Sequence, residues 1–203
     1  MKRIGITQRL DRYPERAEVR DALDTRLAQR LWKWGFMPIP LASGITDVEH
    51  YLAALSLDGF LLSGGNDIGD APQRDRLETA ALQYAAERRL PVVGICRGMQ
   101  MMNHLQGGKL RAVRGHVATQ HSIRGALPHT PGVVNSYHTQ GIYAETLGQQ
   151  LKAIAWTEDG CIESLCHTQY PWLGIMWHPE REEPPHNADQ TLITTFLNQG
   201  TLP

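Results

Sequence analysis

The chain has 203 residues, with 20 lysines and arginines against 21 aspartates and glutamates and a net charge of −1. That length suits one domain with a full core, and near-neutrality gives no general attraction to nucleic acid or to an anionic membrane surface. Three cysteines are an odd count, the start Met1–Gln8 has too short an apolar run for a signal peptide, and no stretch approaches the roughly 18 apolar residues of a membrane helix. A protein of a reducing cytoplasm is expected.

Residues 3–6 read as a first strand ended by Thr7-Gln8-Arg9. After Pro14, the apolar positions Val19, Leu23, Leu27, Leu31 and Trp34 recur at helical spacing until Gly35, which predicts one long amphipathic helix. Arg12, Arg16 and Arg20 then read as its solvated face rather than a phosphate clamp. Phe36–Leu41 is a second strand, and Thr46 with Glu49 reads as a capping box for a helix to about Leu55. Gly59-Phe60-Leu61-Leu62 is a continuous apolar run, as in a strand buried on both faces, and Ser63-Gly64-Gly65-Asn66-Asp67 ends it. Asp75 with Glu78 marks the start of another helix, which stops before Pro91.

Pro91–Ile95 is a further buried strand, and it turns at Cys96 into a helix carrying Met99, Met102 and Leu105 that Gly107-Gly108 stops. The methionines read as core filling. Residues 111–132 lack periodicity and are expected to form a long loop or short ribbon in the position of a lid. Strands are predicted over 133–138, 151–156, 161–166 and 172–177, and a closing helix around Leu192–Leu197. Strand–helix alternation in the first half implies a parallel sheet with helices on both faces, and the later run of strands implies an antiparallel extension. Ligands of such α/β sheets bind beyond the carboxyl ends of the strands, where Gly64-Gly65, Cys96 and His178 all emerge.

Gly94-Ile95-Cys96-Arg97-Gly98 has the form of a nucleophile elbow: flanking glycines allow a sharp turn, and the helix that follows offers free N–H groups to a thiolate or a developing oxyanion. A free cysteine alone is more often a small buried hydrophobe, and a lone histidine a satisfied one. Here His178 follows an apolar strand and Glu180 lies two residues on, so both side chains fall on one side and the carboxylate can orient the imidazole. Metal is the competing use of these residue types. Cys161 and Cys166, and likewise His116 and His121, are five apart, an odd offset that suits no zinc pattern, so no metal is expected. No phosphate-binding glycine motif is present, and no organic cofactor is expected.

Gly94–Gln100 together with Trp177-His178-Pro179-Glu180 resembles the class I glutamine amidotransferase-like superfamily, in particular its free-standing γ-glutamyl hydrolases. The resemblance spans nearly the whole chain. It implies a flavodoxin-like three-layer α/β sandwich and a triad of Cys96, His178 and Glu180 that cleaves a γ-glutamyl amide through a glutamyl thioester. It also implies an oxyanion hole from the N–H groups of Arg97 and Gly65, with Gln100 and Ser136-Tyr137-His138 holding the glutamyl group. Residues 134–140 and 158–163 look like the γ-glutamyl-GABA hydrolase branch of polyamine catabolism. The compact start Ile4–Arg9 instead looks like γ-glutamyl-CDP-amidate hydrolases of capsular polysaccharide modification, and Ser63–Asp67 departs from the usual oxyanion-loop wording. A homodimer is left open. A second reading makes the chain a glutaminase subunit feeding ammonia to a partner synthase, and a third a non-catalytic relative.

Overall fold

The computed structural model describes residues 1–127 and 132–203. In chain order the strands are β1 (Arg3–Ile6), β2 (Arg9–Tyr13), β3 (Glu18–Ala22), β4 (Met37–Pro40), β5 (Gly59–Leu62), β6 (Val92–Ile95), β7 (Arg111–Ala112), β8 (Val117–Ser122), β9 (Arg124–Gly125), β10 (Val133–Tyr137), β11 (Gln140–Gly141), β12 (Leu151–Trp156), β13 (Ile162–His167) and β14 (Trp172–Ile175). The helices are α1 (Thr25–Lys33), α2 (Val48–Leu55), α3 (Pro72–Arg88), α4 (Arg97–Leu105) and α5 (Asn187–Gln199).

One sheet of order β4-β1-β5-β6-β14-β13-β12-β9 carries the fold, parallel from β4 to β14 and antiparallel beyond. The expected α/β sandwich with an antiparallel extension is therefore what forms. Its central strands are buried on both faces: Phe60, Leu61, Leu62, Val92, Val93 and Ile95 are fully enclosed, with helices packed over them. That double burial explains why these strands read as unbroken apolar runs.

Three local expectations are corrected. The long helix predicted from Val19 begins only at Thr25, where the Asp24 carboxylate accepts from the Arg26 N–H. Upstream of it, β2 and β3 form an antiparallel hairpin around the turn Pro14–Arg16. Val19 is exposed there, so its helical spacing to Leu23 was coincidental; the hairpin is fastened through Leu10, whose N–H and carbonyl both bond the Asn66 side chain. The α2 cap is Asp47, not Thr46. Finally, α3 starts at Pro72, and Asp75 and Glu78 face inward rather than forming its cap.

The segment expected as a loop or ribbon is partly a ribbon: β8 pairs with β10 alone, apart from the main sheet. Residues 128–131 of that proposed lid lie outside the described residues. No helix among the described residues is long and apolar enough to cross a membrane.

Candidate active site

The elbow is built by contact between glycines. Parallel pairing of β6 with β5 and β14 delivers Cys96 to the carboxyl edge, where its N–H bonds the Ile175 carbonyl at 2.7 Å. A Cβ on Gly94 would lie 2.6 Å from the Gly98 carbonyl carbon, and one on Gly98 only 2.4 Å from the Leu62 oxygen. Both positions therefore exclude every side chain. Cys96 itself takes φ 50° and ψ −102°, a conformation that costs on the order of 1–3 kcal/mol and aims the thiol out of the sheet. The first amides of α4 follow at once, and they are free to donate.

His178 stands three residues beyond β14 and caps the short helical turn Pro179–Arg181. Its Nδ1 donates to Glu180 Oε1 at 2.7 Å, and Cys96 lies near enough to act on the ring as well. Burial by itself would lower this imidazole's pKa, but Cys96 and Glu180 outweigh it and raise it to about 9. The ring thus sits between a sulfur and a carboxylate that both favour its protonated form. Its backbone is clamped as well, for Asn135 Oδ1 accepts from the His178 N–H and Asn135 Nδ2 donates to the His178 carbonyl, each at 2.8 Å. The sequence reading did not single out Asn135; a strand asparagine carries no local sign of such a long-range role.

The loop Ser63-Gly64-Gly65 closes the other wall. Gly64 lies so near the imidazole that a Cβ would sit 2.7 Å from His178 Cε1, and Gly65 has φ +106° with the Arg9 Cβ at 2.8 Å from its own missing one. Behind the loop lies a buried ion cluster. Glu78 takes Arg97 on one oxygen and Arg74 (2.8 Å) with Thr7 (2.8 Å) on the other; Arg97 also pairs with Asp75, and Arg74 donates to the Ser63 carbonyl at 2.6 Å. Burial lowers the pKa of Arg74, against the pull of Glu78. Arg97 thus spends its guanidinium inward, which leaves its backbone N–H as the part facing the elbow.

Of the residues expected to hold the glutamyl group, Gln100 is buried and donates to the Gln140 carbonyl at 2.9 Å. Ser136 donates to the His116 carbonyl at 2.6 Å, and His138 is turned toward His116. Tyr137 alone reaches the surface, its ring edge-on to His178 at 5.8 Å and covered by Arg181 at 4.3 Å. A cleft of about 370 Å³ opens beside His178, Gly64 and Gly65, with Arg9 and Arg181 on its rim. A larger one of about 570 Å³ lies at the opposite end of the strands, by Pro91 and Pro171, away from this chemistry. Together, the strained cysteine, the imidazole held by Glu180 and the amides around them form an arrangement able to carry out acyl transfer.

The chain belongs to the glutamine amidotransferase class-I family, whose model matches residues 18–198. Among its relatives, the γ-glutamyl-CDP-amidate hydrolase of Campylobacter jejuni is 33% identical over 189 residues, covering 88% of this chain and 90% of that protein. The γ-glutamyl-γ-aminobutyrate hydrolase PuuD of Escherichia coli K12 is 28% identical over 212 residues, 83% of this chain and 80% of PuuD. A crystal structure from Thermoplasma acidophilum, provisionally described as that of a GMP synthase subunit, shares the fold with a TM-score of 0.74 at 17% identity, covering 98% of this chain and 93% of its own.

Proposed function

We propose that this enzyme hydrolyses a γ-glutamyl amide whose leaving group is anionic, γ-glutamyl-CDP-amidate being the leading substrate. The observation that carries the chemistry is Cys96 in a strained elbow beside a His178 that Glu180 holds at 2.7 Å. In this reading the Cys96 sulfur attacks the γ-carbonyl, and the oxyanion forms against the N–H groups of Arg97 and Gly65. His178 gives its proton to the departing nitrogen. It then takes one from water, which attacks the thioester and frees glutamate and Cys96. No step needs a metal or an organic cofactor.

The choice of leaving group rests on the printed activity of the Campylobacter relative; the cleft's Arg9 and Arg181 share its lining with Asp11, which pairs with Arg9 at 2.9 Å, Asp24 and Glu180. It carries with it the role in capsular polysaccharide modification that the resemblance implies. The test compares glutamate release from γ-glutamyl-CDP-amidate, γ-glutamyl-GABA and glutamine, with mass spectrometry of the quenched enzyme. The expected result is a kcat/KM at least about tenfold higher for the CDP-amidate and a glutamyl adduct on Cys96 that is absent from Cys96→Ala. Equal rates on all three would remove the substrate assignment, and full turnover by Cys96→Ala would remove the mechanism.

A further inference from the structure

We propose that His116, His121, His138 and Glu163 form a site for one divalent transition-metal ion of the zinc class, outside the Cys96 centre and independent of the reading above. One donor atom from each lies within 4.8 Å of the others. His116 Nδ1 is 3.3 Å from His138 Nε2, and His138 Nε2 is 3.4 Å from Glu163 Oε1. Those two spacings equal the edge of a tetrahedron whose corners are about 2.0–2.1 Å from a central zinc, roughly 3.3–3.4 Å. The remaining separations, none above 4.8 Å, would close to that value by side-chain rotation on binding.

The hydrogen bonds around the cluster fix which tautomer each neutral ring takes. His138 Nδ1 faces the Gln140 carbonyl at 3.0 Å, and a carbonyl only accepts, so the proton sits on Nδ1 and Nε2 presents a lone pair. His116 Nε2 faces the Asp159 carboxylate at 2.9 Å, so its Nδ1 presents a lone pair as well. With both rings neutral, two lone pairs thus point at each other across 3.3 Å. Glu163, fully buried, has neither oxygen in a hydrogen bond among the described residues, and the buried His121 Nε2 likewise has no such partner there. Buried acceptors converging without a donor are costly unless a cation joins them. The carbonyl and carboxylate behind two of the imidazoles are the outer partners that metal-bound histidines ordinarily keep.

The site also has an architectural use. His116, His121 and His138 belong to the β8–β10 ribbon and its ends, whereas Glu163 belongs to β13 of the main sheet. An ion here would fasten the ribbon, with Ser136 and Tyr137 beside His138, to the core. The Gln140 carbonyl that orients His138 also accepts from Gln100, so the same ion would brace that wall of the active site. Spacing hid the cluster because its members lie on three separate elements.

The test loads the full chain with Zn2+ and separately with Co2+, followed by exhaustive dialysis, metal quantification, visible absorption and thermal melting. Cys96→Ala serves as the host that removes the competing thiol–imidazole pair. One equivalent bound in wild type and in Cys96→Ala is expected, with the intense visible bands of tetrahedral Co2+ and a Zn2+-dependent rise in Tm. His121→Gln and Glu163→Gln should each weaken Zn2+ about 100-fold or more, while His104→Gln and His186→Gln, at exposed positions, should not. His121 is only partly buried, so its variant keeps the test valid should Glu163→Gln fail to fold. Absence of stoichiometric binding would overturn the proposal and leave a shared proton as the occupant. Binding that survives in both His121→Gln and Glu163→Gln, or that disappears with Cys96, would overturn it too.

Discussion

Replacing Glu180 by glutamine isolates what the carboxylate does for His178. The imidazole Nδ1 donates to Glu180 Oε1 at 2.7 Å, with both side chains almost fully enclosed, so little solvent screens the pair. The histidine stands at about 9 against an ordinary 6.5, and the two groups that raise it are Cys96 and Glu180. The net rise corresponds to roughly 3 kcal/mol, by which Cys96 and Glu180 together outweigh the burial that would lower it. An amide oxygen keeps a hydrogen bond but not the charge, so the imidazolium weakens and its pKa falls. Two results should follow in Glu180→Gln. First, kcat should drop about 10²- to 10⁴-fold, the range seen when the orienting acid of such a triad becomes an amide. Second, the alkaline limb of the kcat/KM profile should move. In the wild type the active form carries protonated His178 and is lost as pH rises through about 9; in the variant that loss begins at lower pH. Initial rates of glutamate release across the pH range, on one substrate, read both quantities. A kcat within about threefold of wild type with an unmoved alkaline limb would refute the orienting role.

Further perturbations test the scaffold. Gly98→Ala should destabilise by about 3 kcal/mol or more in denaturant titration, because the new methyl meets the Leu62 backbone oxygen at 2.4 Å and neither backbone can yield; a loss under about 1 kcal/mol would mean the elbow is looser than described. Asp189 is buried, and burial raises its carboxyl to about 6 from 3.8 although it accepts from Trp177 Nε1 at 2.9 Å. Stability from its protonated form is present below 3.8 and lost as pH rises through 6. Asp189→Asn, which keeps the acceptor without the charge, should therefore be more stable than wild type by about 1–3 kcal/mol at about pH 7.5, with the difference closing below about pH 4. Equal Tm values at both pH values would contradict that reasoning.

The sequence made visible what is encoded locally. Double-sided burial turned β5 and β6 into unbroken apolar runs, and the Gly94/Gly98 pair marked the elbow because only glycine tolerates the approach to Gly98 and Leu62. What it concealed depends on distant partners. Asp75 and Glu78 carry the signature of a helix start, and nothing near them indicates that Arg97, 22 and 19 residues on, pairs with both. Asn135 lies 43 residues from the histidine it clamps. Val19 fell on a helical stripe by chance, whereas the charged residues of β3 leave it no apolar face to bury.

The Glu78 cluster has a consequence for altering this protein. One carboxylate holds both Arg97, which bears one of the two proposed oxyanion amides, and Arg74, which grips the Ser63 carbonyl beside the loop bearing the other. The gap between those amides is therefore set from behind, by a part no substrate touches. Refitting the pocket to a bulkier acyl group would therefore involve position 78 as well as the loop itself.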